Sequence, residues 1–173
     1  MDLNSILSVL AAGNNANEIG KQFNIDSTKV TQVITSALPT LIGAMQKNAS
    51  TEAGANSLLG ALTSHVGDTS VNLSNEGLAD GGKILSHILG SNSGSVFSAL
   101  AKQNGVSSNQ VSSILAAIAP MLLGLLGKGQ QGNNGGASAL EAMLGGMLGG
   151  GNSSAMGGLG SILGGLGSLF GKK

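Results

Sequence analysis

The feature that most constrains this chain is that it repeats itself. Residues 19–43 align with residues 100–124 without a gap, at a constant spacing of 81. Identical pairs are Lys21/Lys102, Gln22/Gln103, Ser27/Ser108, Val30/Val111, Pro39/Pro120, Leu41/Leu122 and Gly43/Gly124. Ile19/Leu100, Ile25/Val106, Val33/Ile114 and Ile34/Leu115 keep apolar character. The same spacing returns at Gly54/Gly135, Ser57/Ser138, Leu59/Leu140, Ala61/Ala142, Gly77/Gly158 and Leu78/Leu159. Such self-similarity is expected when one supersecondary unit is copied and the copies stack their apolar faces. It predicts one unit over residues 3–83 and a second, more divergent one from residue 84 onward.

Periodicity makes the units helical. Leu3, Ile6, Leu7 and Leu10 share a helical face, and Gly13 with the two Asn after it should end that helix. Ile19 and Phe23 mark a short second helix. Asp26 or Ser27 can cap a third, along which Val30, Val33, Ile34, Ala37, Leu38, Leu41, Ile42 and Met45 form one stripe. Pro39 should kink that helix or begin a new one, because proline lacks the amide donor and crowds the preceding turn. Pro120 repeats the situation. Further caps are read at Ser50, Asp80 and Ser93 or Ser95, ahead of apolar runs at 58–62, 84–89 and 96–100, with a loop over 67–79. The fold class is therefore all-α, a multihelical bundle of two tandem pseudo-repeats over residues 1–127. Residues 128–138 are mostly Gly, Gln, Asn and Ser, a flexible linker by composition. Residues 139–173 are a Gly/Leu-rich tail. In it Leu140, Met143, Leu144, Met147 and Leu148, and then Leu159, Ile162, Leu163, Leu166, Leu169 and Phe170, recur at helical spacing opposite Gly and Ser.

Composition removes several kinds of chemistry. Without Cys there are no disulfides, thiolate metal sites or Cys nucleophiles. Without Trp or Tyr, and with three Phe, the chain has no stacking platform for single-stranded nucleic acid. All eight basic residues are Lys and are balanced by eight acidic ones, so no footprint for a polyanion is visible. The N-terminus lacks the basic segment of a signal peptide. The longest apolar run, 114–127, is shorter than the ~20 residues a membrane helix needs. A soluble, cytoplasmic protein is the expectation.

A helix-turn-helix pattern occurs twice, at 19–30 and 100–111. Ala101 would let two helices approach, Gly105 make the turn, and Ser107 or Ser108 cap the second helix. On DNA, Thr28, Lys29 and Gln32, or Asn109, Gln110 and Ser113, would face the groove. Phosphate contacts supply most non-specific affinity, and the shortage of cations favours a helical hairpin inside a bundle. The two His, His65 and His87, have Asp68 and Asp80 near them in sequence. Two His and two carboxylates suit zinc or another divalent ion. They lack a compact ligand spacing, and both His lie beside apolar helix faces, where a hydrogen-bonded structural role is commoner. No metal, cofactor or catalytic residue is assigned. A Ser–His–Asp triad has no nucleophile elbow to sit on, and no tail glycine precedes a P-loop Lys-Ser or Lys-Thr pair. Small-xxx-small spacings at Gly145/Gly149, Gly146/Gly150, Gly160/Gly164 and Gly167/Gly171 suit close helix packing, including in lipid. The tail ends in Lys172 and Lys173, loosely like a membrane-active peptide. Gly also lowers helix propensity by ~1 kcal/mol per residue, so this tail needs a surface to pack on.

Four segments carry a family resemblance. They are Ala37-Leu-Pro-Thr-Leu-Ile-Gly, Ser57-Leu-Leu-Gly-Ala-Leu-Thr-Ser-His, Gly81-Gly-Lys-Ile-Leu-Ser-His-Ile-Leu-Gly and Ile118-Ala-Pro-Met-Leu-Leu-Gly. In order and spacing the chain resembles, over residues 1–127, a bacterial domain-of-unknown-function family, serial nine hundred thirty-seven. The resemblance implies a duplicated, multihelical fold like that of YidB-like proteins, and no established activity, cofactor or catalytic residue. The family pattern has an acidic residue after the first His, where this chain has Val66. The expected function is a non-enzymatic structural or protein-interaction module, with a protein partner or self-association through the tail. A membrane-associating or toxin-like protein acting through the same tail is the alternative, and helix-turn-helix DNA binding is third.

Overall fold

The computed structural model describes residues 3–131 and 136–148. They form α1 (Leu3–Leu10), α2 (Gly13–Phe23), α3 (Ser27–Ala49), α4 (Glu52–His65), α5 (Asn75–Leu89), a 3₁₀ turn (Gly90–Asn92), α6 (Ser93–Asn104), α7 (Ser108–Gln131) and α8 (Ala137–Leu148). Among the described residues there is no strand, and the fold is all-α as the periodicity predicts. The tail beyond Leu148, with the expected second Gly/Leu helix at 159–170, lies outside the described residues, as does the middle of the 128–138 linker.

Two long helices, α3 and α7, organise the core. On α3 one stripe is buried, from Val30 through Ile34, Leu38, Leu41 and Met45 to Ala49. On α7 burial runs all the way round from Ile114 to Gly127, as expected of a helix without a polar face that lies at the centre of a fold. Helices α1, α2, α4, α5 and α6 all pack on it. Judged as a whole helix, Ser108–Gln130 is long and apolar enough to cross a membrane, which the shorter apolar run at 114–127 does not suggest. Most of it is nevertheless buried inside the fold.

Both prolines lie inside continuous helices, so neither begins a new one. Pro39 is exposed on α3, whereas Pro120 is buried on α7. Proline offers no N–H to the carbonyl four residues before it. For Pro120 that carbonyl belongs to Ala116, and Gly81 of α5 lays its bare Cα on it; a Cβ at Gly81 would run into the Ala116 carbonyl.

Several expected boundaries move. The first helix ends at Leu10, and Gly13 with Asn14 and Asn15 opens α2. Thr51, not Ser50, caps α4 by accepting from the Gly54 amide at 3.2 Å. Ser74 caps α5 by accepting from the Gly77 amide at 3.0 Å, so α5 begins inside the expected 67–79 loop and Asp80 stands in mid-helix. Neither Ser93 nor Ser95 caps α6, because the 3₁₀ turn carries the chain from α5 directly into it. The 83/84 unit boundary falls within α5.

The two helix-turn-helix segments share their turn chemistry. Asn24 and Gly105 both take left-handed conformations, with φ of 54° and 65°. The Ile25 amide donates to the Gly20 carbonyl at 2.8 Å, and the Val106 amide to the Ala101 carbonyl at 3.1 Å. Asp26 caps α3 by accepting from the Thr28 amide at 2.8 Å. Ser107 caps α7 in a reciprocal box, accepting from the Gln110 amide at 3.1 Å while its own amide donates to Gln110 Oε1 at 3.0 Å. The last helices cross over: α4 packs on α7, and α8 packs on α3 and α4.

Candidate functional site

Glycines of α7 bring the end of α4 down onto the core. A Cβ on Gly124 would meet the His65 and Asp68 carbonyls, and one on Gly127 would lie 2.6 Å from the Leu62 carbonyl. This close approach presents His65, the last residue of α4, to the side of α5. His65 Nδ1 lies 2.7 Å from Asp68 Oδ2, and its Nε2 lies 3.5 Å from Asp80 Oδ2. The imidazole is 17% exposed, and the two carboxylates are about half exposed. A neutral imidazole has one N–H to give, whereas an imidazolium offers one to each carboxylate. Asp80, one turn after Glu76 on α5, therefore helps pin the end of α4 to α5.

Beside this group lies an open cleft of about 460 Å³, lined among others by Asp68, Asn72, Glu76, Asp80 and Pro120. Its charged side chains are acidic. The fourth candidate ligand stands apart: His87 Nε2 lies 2.9 Å from Ser57 Oγ, an exposed contact between α5 and α4. The four residues His65, Asp68, Asp80 and His87 thus do not form one centre. Among the described residues, no three His, Asp or Glu side chains converge in an arrangement that would hold a metal ion. The Ser57–His87 pair leaves no local trace in the sequence, since its members are 30 residues apart on different helices.

A second open cleft, about 670 Å³, runs between α5, α6 and α7 past Lys83, His87, Phe97 and Ser112. A third, about 450 Å³, lies at the α2–α3 turn near Lys21, Asn24 and Asp26. There, hydrogen bonds from the Thr28 side chain and amide hold the Asp26 carboxyl below its ordinary value.

The residues expected to read DNA are partly engaged elsewhere. Lys29 Nζ donates to the Asn104 carbonyl at 2.9 Å, where a cation suits the carbonyl end of α6. Gln110 is used in the α7 cap. Thr28, Gln32 and Asn109 are exposed, and Ser113 is half-buried. The buried Asn104 donates through Nδ2 to the Leu100 carbonyl at 2.8 Å, and its Oδ1 accepts from Ser36 Oγ at 3.3 Å. Asn48 of α3 likewise donates to the Ile88 carbonyl at 2.9 Å, near the end of α5. Lys29, Ser36 and Asn48 of α3 thus tie it to α6 and α5, a role that sequence spacing does not reveal.

No curated protein and no solved structure gives a match to this chain. A sequence family described as a bacterial protein of unknown function (DUF937) matches residues 6–129. The matched span runs from within α1 to the last turn of α7 and takes in His65, Asp68, Asp80 and His87. It stops short of α8. With most of its length matched, the chain belongs to the DUF937 family of bacterial proteins.

Proposed function

We propose that this protein is a non-enzymatic interaction module, in which two related helical units form a body and the segment after Leu148 associates with a second copy of the chain. The distribution of apolar side chains supports this reading most. Among the described residues, Val9 and Leu148 are the large apolar side chains left exposed, so the body offers no broad uncovered apolar face. The segment 159–170 then adds Leu159, Ile162, Leu163, Leu166, Leu169 and Phe170. Burying one such side chain is worth ~1.5–3 kcal/mol, a strong drive toward a surface elsewhere. Apolar residues at this sequence spacing would share one helical face, the pattern of an interaction segment. The balanced, sparse charge of the body makes helix-to-helix contact a better fit than binding to a polyanion. Ser57 and His87 are both exposed, and among the described residues Ser57 is the one hydrogen-bond partner of His87, which suits a tie between helices better than a nucleophile and its base.

The mass of the full chain in solution, beside a full-length Leu166→Lys/Leu169→Lys variant, tests the proposal. A second reading is association with a lipid surface, favoured by the two lysines that close the apolar segment. Under that reading the chain stays monomeric and floats with anionic liposomes, and the same variant sinks.

A further inference from the structure

Among the described residues Asn104 is the one buried polar side chain, and the residue after it is Gly105. An Asn followed by Gly is the pair at which a chain most readily attacks itself. The Gly amide nitrogen adds to the side-chain carbonyl carbon of Asn, and no Cβ on Gly crowds the approach. The bond to the side-chain nitrogen breaks, ammonia leaves with the proton of the Gly amide, and a five-membered succinimide remains. Water then opens the ring at either carbonyl and leaves Asp or isoaspartate. Water is the one co-reactant, and nothing is oxidised or reduced.

The fold ties down every group this reaction uses. The nucleophile, the Gly105 amide, donates to the Ala101 carbonyl. The leaving nitrogen, Asn104 Nδ2, donates to the Leu100 carbonyl at 2.8 Å, and the oxygen of the attacked carbonyl accepts from Ser36 Oγ of α3 at 3.3 Å. Lys29 Nζ, also of α3, holds the Asn104 main-chain carbonyl at 2.9 Å. Asn104 is the last residue of α6, and closing the ring requires it to leave helical backbone angles. The turn between α2 and α3 has a left-handed Asn24, but there the next residue is Ile25, whose branched side chain crowds the attacking nitrogen.

We infer that Asn104 is a self-modification site held off by α3. While the end of α6 is closed the residue is inert. When the α6–α7 turn opens, Asn104 converts to Asp or isoaspartate. The conversion is one-way, because ammonia is lost and neither product regains the old seat. An Asp carboxylate has no N–H for the Leu100 carbonyl and sets oxygen against oxygen in a buried place. Isoaspartate lengthens the main chain by one carbon within the turn. A transient opening of the second hairpin thereby leaves a permanent mark, whether or not the chain associates with itself.

The test follows each Asn of the full-length protein by peptide mass spectrometry, at neutral pH, in native buffer and in denaturant. In denaturant Asn104 should react as fast as Asn134, the other Asn followed by Gly, and faster than Asn24. In native buffer Asn104 should react about a hundredfold more slowly than in denaturant, because local opening must come first. Ser36→Ala and Lys29→Met should each raise the native rate about fivefold, the opening factor that matches one hydrogen bond, and leave the rate in denaturant unchanged. Asn104→Asp, which supplies one product directly, should speed amide hydrogen exchange in the last turn of α6 by about fivefold or more. An Asn104 that reacts equally fast in both conditions, or in neither, overturns the inference. Native rates indifferent to both α3 substitutions overturn the role of α3, and unchanged exchange in the Asn104→Asp protein overturns the one-way step.

Discussion

Gly81 and Pro120 work as a pair. Proline leaves the Ala116 carbonyl without its helical donor, and only a residue without a side chain can lie against it. Gly82, the next residue, has nothing within 4 Å of where a Cβ would be. Gly81→Ala should therefore cost ~1–3 kcal/mol through overpacking, while Gly82→Ala should be neutral or stabilise by ~0.5–1 kcal/mol through helix propensity. Thermal melts of the two variants check this, and equal melting temperatures would contradict it. Asp26 gives a prediction in pH. Its carboxyl is held below its ordinary value by Thr28, so it adds stability above the unfolded value, about 4. That stability is lost as the pH falls through the lower folded value. Asp26→Ala should weaken the protein near neutral pH, with the gap to the parent closing in acid; a gap independent of pH would rule this out. Local chemistry of this sort was legible in the sequence. Asp26, Ser107 and the turn at Gly105 could be named because a cap depends on its next three residues. Asp80 was misread as a cap because a better one, Ser74, lay inside what looked like loop.

At the scale of elements, the periodic stripes of α3 and α8 and the unbroken apolar run of α7 were visible in the sequence, and each became a helix. What each helix packs against was not visible. A stripe states that a face is buried, not which partner covers it, and the crossing of α4 onto α7 depends on Gly124 and Gly127 meeting carbonyls far away in the chain. The polar positions of α3 were harder still. Lys29 reads as DNA-facing, and Ser36 and Asn48 carry no signal in the sequence, yet all three bond across to α6 or α5. Lys29→Met should accordingly lower stability by ~1 kcal/mol, the net worth of one such hydrogen bond. Chemical denaturation measures it. An unchanged midpoint would mean the Asn104 carbonyl is served equally well by water.

At the scale of the molecule, the candidate site was half legible. The pairing of His65 with Asp68 follows from adjacency at a helix end, but the arrival of Asp80 and the separate fate of His87 follow from how α5 lies on α7. The group ties helices together at the rim of an acidic cleft. The body of α1 to α7 is the part that the family match covers, and α8 and the Gly/Leu-rich tail follow it in the sequence. The C-terminal region, on the proposed function, makes the chain associate with itself. Its most direct test is the molar mass in solution across a concentration series, for the full chain and for its Leu166→Lys/Leu169→Lys variant. The expected result is a mass of at least twice the 16.9 kDa of one chain for the parent, and 16.9 kDa for the variant. A parent that stays at 16.9 kDa at every concentration, or a variant that assembles as the parent does, would contradict it.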